Sequence, residues 1–395
     1  MELKAGYKQT EVGVIPEDWE VRSLSEVVDF LDGCRRPVKD SDRAKMRGNV
    51  PYYGASGIVD YVNSHIFDED LILLGEDGEN ILSRNTRLAF KISGKTWVNN
   101  HAHVLRPKSG MSLDYLVEFL ENQDYAQYNT GTAQPKLNKL VCSRIPVLCP
   151  SPIEQRAIAQ ALSDVDALLA TLDQMIAKKR DLKQATMQQL LTGKTRLPGF
   201  GGDWDAVEFG AVATIRNEKV LCSSNSEGTP CVELEFIGQA NGRLLGYIEA
   251  TGASSKYSFK EGDVLFGRLR AYLRKHWRAT FDGVCSTEIW PLIPRNERLY
   301  GGYLHLLVQM NSFVDAACVS YGTHMPRSDW GVLGKFEVQL PSVPEQVAIS
   351  ASLFDMDAEL EALENRLEKT RNLKQAMMQE LLTGKTRLVQ EGRNG

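Results

Sequence analysis

Two stretches of this chain gather the kind of side chains that bind phosphate. From Arg35 to Arg47 there are six basic residues, Arg35, Arg36, Lys39, Arg43, Lys45 and Arg47, against two aspartates. From Gly267 to Phe281 there are five, Arg268, Arg270, Arg274, Lys275 and Arg278, with no acid and with Tyr272, His276 and Trp277 interleaved. The net charge is −5, so these are local accumulations in a chain without a basic character of its own. Such clusters attract polyanions: lysine and arginine clamp phosphates, while amide, imidazole and phenol groups read base edges. Candidate readers are Asn99, Asn100, His101 and Gln134, beside Lys136, and Arg270, Tyr272, His276 and His324, beside Arg327. A solvated loop explains either cluster alone. One cluster in each half of the chain favours a pair of nucleic-acid faces.

Other chemistry is poorly supported. Gly193-Lys194-Thr195 ends like a phosphate-binding loop, but the glycine required five residues upstream is Gln188, and the tripeptide follows a helix pattern. His101 and His103 could share a metal, yet no third ligand lies at a sensible spacing. Gly75-Glu76-Asp77-Gly78-Glu79-Asn80 is acidic and glycine-rich without the twelve-residue calcium pattern, and reads as a turn. No nucleophile elbow, nucleotide fingerprint or methyltransferase motif is present, so the expectation is a chain that binds and does not catalyse. Seven cysteines without a Cys-x-x-Cys pair read as free thiols. There is no run of 18 apolar residues and no signal-like start, which makes the cytoplasm the expected compartment and gives the membrane no role.

The elements that must position these clusters are written twice. Residues 154–197 and 345–388 are identical at 26 of 44 positions, at a constant offset of 191 (345 − 154), and both close on Leu-Leu-Thr-Gly-Lys-Thr-Arg-Leu. Such an internal repeat governs the whole architecture. In each copy apolar residues recur at steps of four and three: Ile158, Leu162, Val165, Leu169, Leu172, Ile176, and Ile349, Leu353, Met356, Leu360, Leu363, Leu367. That is a coiled-coil seam on a helix of about 40 residues, roughly 60 Å long. Pro152 and Pro344 suit a first turn, and Gly193 and Gly384 suit left-handed caps. The two seams most simply bury each other, antiparallel if each helix follows a similar domain. Five polar positions are repeated as well, Lys183, Gln184, Gln188, Lys194 and Arg196 with Lys374, Gln375, Gln379, Lys385 and Arg387. Core packing alone would not fix them, which suggests one surface offered twice to a repeated partner.

Each half begins on a similar anchor, Glu17-Asp18-Trp19 and Gly202-Asp203-Trp204. Strands are expected at 50–53, 57–61, 71–74, 87–92, 97–98 and 103–105, then a helix at 113–128. The second half repeats the order, with strands near 231–237, 244–248, 264–266, 279–281 and 288–293 and a helix at 303–316. Gly131-Thr132 and Gly322-Thr323 close the globular parts at the same 191 offset. The expected fold is α+β: two globular α/β domains, 1–150 and 198–340, in a pseudo-twofold arrangement, joined by two long antiparallel coiled-coil helices within 151–197 and 341–395.

These features together resemble the specificity subunit of a type I restriction–modification system. The resemblance rests on Ile15-Pro16-Glu17-Asp18-Trp19, on Pro152-x-Glu154-Gln155 and Pro341 with Glu345-Gln346, on the repeated Leu-Leu-Thr-Gly-Lys-Thr-Arg-Leu ends, and on Gly54-Ala55-Ser56-Gly57 with Gly75-Glu76-Asp77-Gly78. Pro341-Ser342-Val343-Pro344 departs slightly from Pro150-Ser151-Pro152. The resemblance implies that each domain is a target-recognition domain for half of a bipartite double-stranded DNA sequence. It implies that the helices space the domains and dock two modification subunits, which carry S-adenosylmethionine and methylate adenine, with restriction subunits as further partners. The chain itself would need no cofactor. A coiled-coil scaffold that gathers proteins without touching DNA explains the helices but not the paired basic clusters, and a self-sufficient modifying enzyme lacks its motifs.

Overall fold

A computed structural model describes residues 5–221, 228–250, 255–319 and 326–389. The chain divides into two compact units, Met1–Asp173 with Asn365–Gly395, and Gln174–Glu364.

In the first unit the buried strand Leu71–Gly75 is apolar on both faces, the pattern of a strand covered on both sides. It pairs antiparallel with Ala102–Pro107 and Ala89–Ile92, and Val28–Phe30 completes a four-stranded sheet. A second sheet runs in the order Gly57–Val62, Arg47–Gly54, Lys95–Val98, Phe67–Asp68, its middle pair parallel. The helix Leu113–Glu121, capped by Ser112, buries Tyr115, Leu116, Phe119 and Leu120. Glu20–Ser23 pairs with Pro146–Cys149, which ties the Trp19 lead-in to the strand that precedes the first long helix.

The second unit repeats this plan. Its first sheet orders Ala213–Ile215, Ile289–Pro294, Val264–Gly267 and His276–Arg278. Its second sheet again has a parallel pair, Pro230–Val232 with Gly283–Cys285, flanked by Ser255–Phe259 and Ile248–Glu249. Asp205–Glu208 pairs with Glu337–Leu340 just ahead of the second long helix.

The long helices are Pro152–Leu190 and Val343–Leu381, each of 39 residues and about 58 Å at 1.5 Å per residue. Gly193 and Gly384 close them with φ of 68° and 71°, left-handed values that glycine adopts without strain. Each unit contains one half of each helix, and within a unit the two halves run antiparallel. In the first unit Ile158 and Leu162 share a core with Leu381 and Leu382, and Lys374 meets Asp166 while Arg371 meets Asp173. In the second unit Leu190 and Leu191 share a core with Ile349 and Leu353, and Lys183 meets Asp357 while Arg180 meets Glu364. The ion pairs are the same pairs displaced by 191.

Several expected elements are shorter than their patterns. The helix begun at Leu113 stops at Glu121, and Tyr128 lies in a separate turn, Ala126–Tyr128, where Asp124 captures the Ala126 N–H. The helix expected at 303–316 is two, Gly301–Leu307 and Asn311–Ala317, because Met310 is extended. Residues 279–281 connect two strands instead of forming one, and 234–236 form a turn. Among the described residues no helix is long and apolar enough to cross a membrane.

Candidate nucleic-acid interface

In the first unit the core strand Leu71–Gly75 runs out into the loop Glu76-Asp77-Gly78. Three backbone bonds hold that loop to two neighbours. The Glu76 N–H donates to His101 O (2.8 Å), the Leu137 N–H to Glu76 O (2.7 Å), and the Gly78 N–H to Pro135 O (3.0 Å). Asp77, exposed Asn100 and His101, exposed Gln134 and Lys136 are thereby collected on one set of loops. His101 Nδ1 lies 3.0 and 2.9 Å from the two Asp77 carboxylate oxygens. Asn99 is buried, and its Oδ1 accepts from the His101 N–H at 2.8 Å, so it shapes this turn from below.

Beneath the loops lies buried His103. Its Nδ1 is 2.8 Å from Asp32 and its Nε2 2.9 Å from the Leu137 carbonyl. Both neighbours only accept, so the ring donates from both nitrogens and is an imidazolium. Burial opposes the charge, but the Asp32 carboxylate outweighs it and the pKa is pushed up to about 10. Arg35 belongs to the same network, donating to Glu76 at 2.6 Å and to the Ala102 carbonyl at 2.7 Å. Lys136 Nζ is 3.5 Å from Glu76. Arg43 is likewise engaged, with Asp60, Asp40 and the Val38 carbonyl, and lies over the Tyr52 ring. Of the first cluster, Arg36, Lys39 and Arg47 are exposed without side-chain partners among the described residues, and Lys45 is exposed beside Asp42 at 3.5 Å.

The second cluster sorts in the same way. Arg268 lies over the Trp290 ring at 5.0 Å, Lys275 donates to the Leu234 carbonyl at 2.8 Å, and Arg278 lies over Phe354. His276 is only 4 % exposed and sits 3.2 Å from His305, where burial and the charges of Lys183 and Arg274 pull its pKa down to about 4. It presents no face to solvent. Arg327 makes a two-pronged pair with Glu288. Arg270, Tyr272 and Arg274 remain, their side chains unpaired among the described residues and Tyr272 55 % exposed. His324 lies outside the described residues.

The repeated polar positions on the helices divide into two groups. Lys183, Lys374, Arg196 and Arg387 are used inside the chain. Arg196 pairs with Glu345 and donates to the Gly201 and Gly202 carbonyls, and Arg387 pairs with Glu154 and Asp18. These contacts give their repetition an internal reason. Gln184, Gln188, Lys194, Gln375, Gln379 and Lys385 are exposed in both copies.

The profile of the type I restriction modification DNA specificity domain matches residues 16–179 and again residues 201–370. The chain belongs to this family of type I specificity subunits. It is 24 % identical to the EcoDI specificity subunit of Escherichia coli, over 94 % of this chain and 89 % of that one. It is 23 % identical to the MjaVIII specificity subunit of Methanocaldococcus jannaschii, over 95 % and 94 %. The crystal structure of the type I S subunit from M. genitalium has the same fold, with a TM-score of 0.63 at 12 % identity, covering 96 % of this chain and 98 % of that one. The family is the one its sequence resembles, and the DNA-free scaffold is not favoured.

Two parts of this specificity subunit's loop cluster escape sequence reading. Asp77 lies in a stretch that reads as a plain turn, and its glycine-flanked acid pair was the available signal. The pairing of Asp32 with His103 spans 71 positions and leaves no local trace.

Proposed function

We propose that this chain is the non-catalytic DNA-recognition subunit of a cytoplasmic type I restriction–modification complex. Residues 1–150 and 198–340 act as target-recognition domains, each reading one half of a bipartite double-stranded DNA target. The helices of 151–197 and 341–395 set the gap between the half-sites and dock two modification subunits through their repeated exposed positions, Gln184, Gln188 and Lys194 with Gln375, Gln379 and Lys385. Adenine methylation, with S-adenosylmethionine, belongs to those subunits, and restriction subunits join for cleavage.

The family match over both halves of the chain carries this reading. Support also comes from cations without a side-chain partner among the described residues in each half, Arg36, Lys39 and Arg47 in one, Arg270 and Arg274 in the other. They supply phosphate affinity and its salt dependence, while Asn100, His101, Gln134 and Tyr272 face bases. A mobility-shift titration of the chain with modification subunits on duplex DNA, followed by mapping of methylated adenines, tests it. The expected result is a two-part methylated motif with a fixed gap. Methylation without sequence preference, or no DNA binding by the complex, overturns it.

A further inference from the structure

The loop that leaves the core strand is built identically in the two units. In the first unit the strand ends at Gly75 and in the second at Gly267, and the bonds that follow correspond one for one. The Glu76 N–H donates to His101 O as the Arg268 N–H donates to Glu288 O (2.8 and 2.9 Å). The Leu137 N–H donates to Glu76 O as the Ser328 N–H donates to Arg268 O (2.7 and 2.9 Å). The Gly78 N–H donates to Pro135 O as the Arg270 N–H donates to Pro326 O (3.0 and 2.9 Å). A bridge joins Asp77 to Lys136 in one unit and Leu269 to Arg327 in the other.

The side chains on this shared frame have opposite character. Gly75-Glu76-Asp77-Gly78 becomes Gly267-Arg268-Leu269-Arg270, and the facing residue changes from His101 to Glu288. Glu76 and Arg268 are both consumed internally, by Arg35 and by the Trp290 ring. What remains is Asp77, 20 % exposed and held by His101, in one unit and exposed Arg270 in the other. Arg270 and Arg274 bracket the turn Ala271–Leu273 with φ of 53° and 52°, a left-handed backbone that arginine rarely adopts. Gly78 occupies the position equivalent to Arg270, with φ of 110°. An arginine kept where the same frame elsewhere accepts a glycine points to a use for its head group.

We propose that this loop is the base-reading element of both units and that its charge sets what each half-site contains. Arg270 presents a guanidinium fork to guanine, whose major-groove edge offers O6 and N7 as paired acceptors. Asp77 accepts from an exocyclic amino group, that of cytosine or adenine, and His101 orients the carboxylate. A carboxylate on a surface that meets phosphates is repelled by them, and a base amino group is the donor that makes it useful there. Tyr272, exposed between Arg270 and Arg274, packs its ring along the same base step.

This inference rests on the DNA-reading function proposed above, and one experiment separates the two. The full chain is assembled with its modification subunits and the methylated motif is mapped for the wild type, R270G, R270K and D77N. R270G removes the head group while placing glycine where the backbone favours it, so folding is preserved, and thermal unfolding checks this. We expect one half-site of the wild-type motif to contain guanine. R270G and R270K should both lose preference for that guanine, roughly tenfold or more, because lysine keeps the charge but not the fork. D77N should relax one position in the other half-site alone. A wild-type motif without guanine in either half, or an R270G variant weakened equally on all sequences with its motif unchanged, overturns the inference and leaves the function standing. A wild type without any sequence preference removes the function itself.

Discussion

Arg387 donates to both carboxylate oxygens of Glu154, at 2.5 and 2.7 Å, across 233 positions of sequence. Glu154 lies in the first turn of the first long helix and is 1 % exposed, while Arg387 stands just past the end of the second. Trp19 completes the cluster, its Nε1–H donating to Glu154 at 2.9 Å and its ring lying under the Arg387 guanidinium. In the second unit Arg196 does the same to Glu345, over Trp204. The repeated Thr-Gly-Lys-Thr-Arg end is thus a clasp: glycine turns the chain back, and arginine grips the start of the antiparallel helix.

Removing the arginine should therefore strand a buried carboxylate. R387A is expected to destabilise its own unit by about 3 kcal/mol, the lower part of the range for breaking a buried pair, because the arginine is partly exposed, and R196A to act in the same direction on the other unit. Substitution at exposed Lys194 or Lys385 should stay within about 0.5 kcal/mol. Urea unfolding of the purified chain measures both, and a loss under 1 kcal/mol for R387A would show that the clasp does not hold the helices.

What sequence could reveal followed from how local each signal is. The helices were legible because a seam of Ile158, Leu162 and their successors needs only its own spacing, and the repeat supplied a second copy; their ends were not, since the helices stop at Leu190 and Leu381, inside the spans expected. The basic clusters were legible as composition, but not which members are free. Arg35, Arg43, Arg268 and Lys275 are tied by partners up to 67 positions away, such as the Ala102 carbonyl for Arg35. His276 reads as a surface histidine among arginines and is buried because its strand pairs it beside Phe266, in the core. Such outcomes depend on tertiary pairing that no window of sequence contains.

The second cluster then divides by experiment. R274A should leave stability within about 0.5 kcal/mol and lower the salt slope of DNA binding by about one, as expected for one lost phosphate contact. R268A removes the stack on Trp290 and a hydrogen bond to the Ser328 carbonyl, and should cost about 1–2 kcal/mol of stability. Titrating binding against salt and unfolding against urea for both variants distinguishes them. A reversed outcome, with R274A unstable and R268A weak only in binding, contradicts the assignment.

Two buried histidines give the stability a pH dependence of opposite signs. His103 has a raised folded pKa of about 10. Its contribution is complete below the unfolded value near 6.5 and is lost as pH rises towards 10. His276 has a lowered folded pKa of about 4, so protonation of the unfolded chain draws stability down as pH falls from about 6.5 towards 4. H103Q should leave buried Asp32 with only the more distant Arg35, 3.8 Å away, as its cation, cost about 3 kcal/mol at pH 6 and flatten the alkaline slope. Urea midpoints of wild type and H103Q between pH 6 and 9.5 check this, and an unchanged slope would show that His103 is neutral.

If the long helices measure the gap in the target, their length should appear in it. Inserting one turn into each helix at matched positions, between Leu169 and Leu172 and between Leu360 and Leu363, keeps the outer pairs Lys374–Asp166 and Lys183–Asp357 in register, while the stretch between the inserts, with Arg371–Asp173 and Arg180–Glu364, slips by one turn. Each helix then grows by about 5.4 Å, or one to two base pairs at roughly 3.4 Å each. Mapped methylated adenines should give a motif whose unspecified gap is longer by that amount, with both half-sites unchanged, because the inserts touch neither loop cluster. An insertion in one helix alone breaks the pairing of Lys183 with Asp357 or of Lys374 with Asp166 and should destabilise the chain before it changes any gap. Altered half-sites, or an unchanged gap in a well-folded double insertion, would refute the measuring role.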